Sequence, residues 1–97
     1  MSFSVTKEAA QWYKDEMGLE AGDHVRFFVK LYGGIKTAHP SYFLGVEVAQ
    51  EGEIAIKEEV EGITFYFNKE DAWLLDDYDL KIEMGQEETV FQFSEKQ

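Results

Sequence analysis

At 97 residues the chain is the length of one domain, and a domain this small buries roughly 60 % of the surface its unfolded chain exposes, which leaves little margin of stability. Twenty acidic residues against nine basic ones give a formal charge of -11, which repels phosphate backbones and anionic headgroups and sets aside nucleic acid and membrane surfaces as partners. There is no cysteine, so the chain has neither a disulfide framework nor a thiolate with which to hold a metal or an iron-sulfur cluster.

The first element is a helix. Thr6 is placed as its N-cap, Val5 can staple onto Ala10, and Glu8 sits near the positive helix end. Ala9, Ala10, Trp12, Tyr13 and Met17 recur at helical spacing and form one apolar face, and Gly18 supplies a left-handed C-cap. From Val25 to Tyr32 the period becomes two, with Val25, Phe27, Val29 and Leu31 on one face and Arg26, Phe28, Lys30 and Tyr32 on the other. Large groups on both faces predict a strand covered on both sides. Tyr42 to Val48 alternates in the same way, and the stretch between, Gly33 to Ser41, reads as a loop.

Gln50 to Glu53 reads as a turn, and Ile54 with Ile56, then Ile63 to Phe67, as two strands joined by the acidic segment Glu58 to Gly62. Asn68 is an N-cap candidate for a short helix over Ala72 to Leu75. Leu80, Ile82 and Met84, then Val90 to Phe93, read as a hairpin turning at Gly85 to Glu88. The expected fold is α+β and mostly β: twisted sheets in a sandwich-like arrangement, with an N-terminal helix and a short second helix, in a single domain over residues 1–97. No signal-peptide pattern follows Met1 and no long apolar stretch is present, so the chain is read as cytoplasmic.

The order of these pieces resembles the HesB-like domain of the A-type, IscA-like, iron-sulfur cluster assembly proteins. The resemblance rests on the helix opening after Val5-Thr6, on Arg26-Phe27-Phe28-Val29 running into a glycine pair, and on Leu75-Asp76-Asp77-Tyr78-Asp79-Leu80. It spans Ser4 to Phe93 and implies a HesB-like fold that often dimerises. It also implies a cluster-loop position at Gly33, Gly34 and Ile35, with Ile35 where a cysteine ligand would stand, and Gln97 about where a C-terminal cysteine pair would begin. No cluster-binding residue carries over.

Other candidate chemistry is sparse. His39, with carboxylates or His24, is a candidate ligand for iron or another divalent metal, against the plainer reading of a solvated loop histidine. His39 and Ser41 form the one suggestive pair for a hydrolase-like enzyme. Asp76, Asp77 and Asp79 begin like a calcium loop but fail at Lys81 and Ile82, and read as a turn. Phe28, Tyr32, Ile35, Tyr42 and Phe43 surround the altered loop and are candidates for contact with a protein partner or a second copy. The sequence therefore predicts a non-catalytic, cofactor-free interaction or accessory module within iron-sulfur cluster biogenesis, with metal carriage and small-hydrolase activity as alternatives.

Overall fold

The computed structural model of the protein describes residues 3–30, 35–36 and 43–95. Its elements are β1 (Phe3–Val5), α1 (Lys7–Met17), β2 (His24–Lys30), β3 (Ile35–Lys36), β4 (Phe43–Val48), β5 (Ile54–Val60), β6 (Ile63–Asn68), a 3-10 turn (Ala72–Leu75), β7 (Tyr78–Met84) and β8 (Thr89–Glu95). The expected α+β, mostly β, architecture is the one found. Two mixed sheets form, one of order β3-β4-β2-β6-β5 and one of order β1-β7-β8. Among the described residues, no helix is long and apolar enough to cross a membrane.

Helix α1 begins and ends where its caps dictate. The Thr6 hydroxyl accepts the Ala9 amide at 3.2 Å, and Gly18, at φ 63°, turns the chain out of the helix. Ala9, Ala10 and Tyr13 are buried, with Trp12 and Met17 packed against the same core. The alternation of β2 buries Val25 and Phe27 completely. Phe27 is the centre of the core. Its ring meets Phe3 of β1, Tyr13 of α1, Phe65 and Phe67 of β6 and Phe91 of β8, at centroid distances from 5.7 to 6.2 Å. Such aromatic pairs contribute about 1 kcal/mol each beyond the area they bury, and these tie one residue to both sheets and the helix.

Four local readings change. Glu58, Glu59 and Val60 belong to β5 and not to a connection, because they pair in order with Phe65, Thr64 and Ile63 of β6. The link is then only Glu61-Gly62, both at positive φ (54° and 78°), as the primed two-residue hairpin turns require. Asn68 is the last residue of β6 and is buried, so it is no helix cap; Asp71 precedes a single 3-10 turn without a side-chain cap. Strand β2 starts at His24 and is described to Lys30, and β4 from Phe43; Leu31, Tyr32 and Tyr42 lie outside the described residues. The three-residue β1, which no periodicity announces, pairs in parallel with β7 through Phe3 and Leu80, Ser4 and Lys81, and Val5 and Ile82.

Candidate functional site

The face of the five-stranded sheet turned away from Phe27 carries Arg26, Phe28 and Lys30 from β2. Registered beside them in the antiparallel β2–β4 ladder are Glu47, Gly45 and Phe43. Arg26 is the only arginine in the chain. Its guanidinium meets Glu70 at 2.9 Å, Glu47 and Asp71 at 3.0 Å and Glu51 at 3.9 Å. The side chains of Arg26 and Asp71 are 15 % and 9 % exposed, whereas Glu51 and Glu70 stand well out in solvent. Burial works against the Arg26 charge, but hydrogen bonds and charge from Asp71 and Glu47 outweigh it and hold its pKa above the ordinary value. The cluster thus keeps a fixed cation beneath a surplus of carboxylates.

Packing holds the arginine in place. Its guanidinium lies 5.2 Å from the centroid of Phe28, whose ring covers Gly45 so closely that a Cβ there would collide with it. One oxygen of Asp71 also accepts the Val29 amide at 3.0 Å, which locks the chain before the 3-10 turn onto β2. The segment after β4 is tied down on the same face: the Tyr66 hydroxyl donates to the Ala49 carbonyl at 2.9 Å and accepts the Glu51 amide at 3.3 Å, and Asn68 Nδ2 donates to the Glu51 carbonyl at 3.1 Å. Arg26 Nε and Asn68 Oδ1 are buried without a partner among the described residues. Gly52, Glu53, Asn68, Lys69 and Glu70 line a shallow, open depression beside the cluster. An open, charged surface over an aromatic ring is suited to contact with another macromolecule rather than to enclosing a substrate.

Of the residues singled out in the sequence, Phe28 and Phe43 come to this face and are half-buried. Ile35 is described only through its backbone, which registers with Leu44. Tyr32, Gly33, Gly34, His39, Ser41 and Tyr42 lie outside the described residues. His24 is placed structurally, with Nδ1 3.1 Å from the Gly22 carbonyl and its ring edge on Tyr66. Among the described residues no group of three or more histidine, aspartate or glutamate side chains is arranged to hold a metal, the Asp76, Asp77 and Asp79 turn included. The Arg26 cluster went unnoticed in the sequence. Its one signal was a lone arginine, inside a strand, in a strongly acidic chain.

No protein-family model matches the chain. It is 37 % identical over 95 residues to the Bacillus subtilis (strain 168) protein named pyruvate dehydrogenase inhibitor, a match covering 96 % of this chain and 99 % of that one. It is also 28 % identical to an uncharacterized protein of Staphylococcus saprophyticus, over 88 % of this chain and 89 % of that protein. An uncharacterized protein of Staphylococcus haemolyticus matches at 29 % identity over 86 % of each. This near end-to-end match overturns the HesB-like reading and the link to iron-sulfur cluster biogenesis, and it lends nothing to the metal-carrier or hydrolase alternatives. The residues behind the resemblance have local physical reasons: Arg26 to Val29 is a strand facing a core and an ion cluster, and Asp76 to Asp79 leads from the 3-10 turn into β7.

Proposed function

We propose that this chain, which belongs to the family of the Bacillus subtilis pyruvate dehydrogenase inhibitor, is a protein regulator that lowers the activity of a pyruvate dehydrogenase by binding to it. The observation that carries this reading is the 37 % identity over essentially the whole of both chains, with no insertion large enough to make a separate module. It acts without catalysis, in keeping with a relative named as an inhibitor. It works as one domain, in the cytoplasm, with its partner.

On this reading the contact surface is the outer face of the five-stranded sheet. Phe28 and Phe43 supply half-buried aromatic area there, and Glu47, Glu51 and Glu70 supply carboxylates beyond what Arg26 neutralises. A basic surface on the enzyme would complement them. The test is co-elution of the purified chain with pyruvate dehydrogenase from the same organism, repeated with Glu51→Lys and Glu70→Lys. Binding by the unaltered chain that weakens in the two variants is the expected result. Absence of a complex overturns the function, and a complex indifferent to both substitutions overturns the surface.

A further inference from the structure

We infer that β8 is the interface of a twofold dimer, pairing antiparallel with the β8 of a second copy so that the three-stranded sheet continues as six strands. The order β1-β7-β8 leaves β8 at the sheet edge, and among the described residues no strand pairs with its outer side. Exposed edges are normally blunted by charge, proline, bulges or shortness. Strand β8 has no proline and no bulge, is not short, and is nearly free of charge. It runs seven residues, Thr89-Val90-Phe91-Gln92-Phe93-Ser94-Glu95, pairs with β7 without a register shift, and carries one charge, at its end. Strand β5, at the edge of the larger sheet, shows the contrast: a register irregularity and the charged Lys57, Glu58 and Glu59.

The hydrogen-bond phase fixes which groups the edge offers. The Gly85 amide donates to the Glu88 carbonyl at 2.8 Å, and from that closing pair the antiparallel alternation makes Val90, Gln92 and Ser94 the residues that bond to β7. The N–H and C=O groups of Thr89, Phe91, Phe93 and Glu95 therefore point outward. A second β8 running the opposite way must set outward groups against outward groups, and the register that uses all seven residues puts the twofold axis at Gln92. Phe91 then exchanges backbone hydrogen bonds with Phe93 of the second copy, Val90 faces its Ser94, and the two Gln92 side chains meet at the axis in a non-hydrogen-bonded pair. Charge selects the occupant. A chain at -11 repels its own kind over most surfaces, but residues 89–94 carry no charge, so a second copy can approach here and a strongly charged partner gains nothing.

Gln92 is exposed, so its substitution leaves the core untouched. The experiment is the solution mass of the full chain by light scattering, without any enzyme present, for the unaltered chain, Gln92→Lys, Gln92→Glu and an equimolar mixture of the two variants. Circular dichroism verifies each fold, and Gln92→Arg replaces Gln92→Lys if the latter does not fold. The expected masses are those of a dimer, two monomers and, in the mixture, a restored dimer, because opposite charges then meet at the axis. A monomeric unaltered chain, a dimer that survives both substitutions, or a mixture that stays monomeric overturns the inference, whatever the chain does to pyruvate dehydrogenase.

Discussion

Asp71 accepts the Arg26 guanidinium at 3.0 Å on one carboxylate oxygen and the Val29 amide at 3.0 Å on the other. One buried side chain thereby joins the segment before the 3-10 turn to β2 by charge and by backbone hydrogen bonding. Removing Asp71 takes the most buried carboxylate from Arg26, which keeps Glu47 and Glu70 as partners, and it also frees a strand amide. Asp71→Ala is expected to lower stability by about 2 kcal/mol, and Asp71→Asn by less, since its amide oxygen still accepts from Val29. Urea unfolding of the three proteins checks this; equal losses for the two variants would mean that the hydrogen bond to Val29 contributes nothing.

Gly45 and Phe28 test the packing of the outer face. Gly45→Ala forces the Phe28 ring off the strand and disturbs its contact with Arg26, at a cost of about 1 to 3 kcal/mol. Shortening the obstacle in Gly45→Ala/Phe28→Leu is expected to recover part of that loss. A double-mutant cycle with no coupling energy contradicts the contact.

The turn between β5 and β6 holds Glu61 at φ 54°, a region where glycine or asparagine is at ease and glutamate is not. Glu61→Asn should stabilise the protein by about 0.5 kcal/mol. The lost ion pair with Lys7, at 3.6 Å and with the lysine almost fully exposed, offsets little of this. Thermal unfolding reads the sign, and a lower midpoint contradicts it.

Burial raises the pKa of the Tyr13 phenol above the ordinary tyrosine value near 10; its hydrogen bond with Thr89 at 3.1 Å opposes the shift and the charge of Glu88 adds to it. A folded-state pKa above the unfolded one means that the native state holds the proton longer. The contribution of Tyr13 is therefore complete below about pH 10 and is lost as pH rises towards the folded value. Relative to Tyr13→Phe, the unaltered protein should lose stability more steeply above about pH 10, and parallel profiles for the two would contradict it.

The sequence was most legible where local rules decide. Thr6 and Gly18 cap α1, and the two-residue period of β2 and β4 marks the faces they bury. It was less legible where one local rule competes with another. Glu58 to Gly62 looks like an acidic connection, yet β5 keeps its polar residues on an edge strand, and the turn needs only two residues. Asn68 has the chemistry of a cap but is used inside the fold to hold the Glu51 carbonyl. The Arg26 cluster was out of reach of any local rule, because residues 47, 51, 70 and 71 converge on position 26 only through strand pairing. The HesB-like reading failed for the opposite reason: the strand from Arg26 to Val29 and the acidic stretch leading into β7 are features that sheet formation alone accounts for.

Inhibition is read in the initial rate of NADH formation from pyruvate, coenzyme A and NAD+ by pyruvate dehydrogenase of the same organism, titrated with the purified chain. The expected result is a saturable fall in rate that is reversed when the chain is removed. A rate that stays constant at a large excess of chain would contradict it.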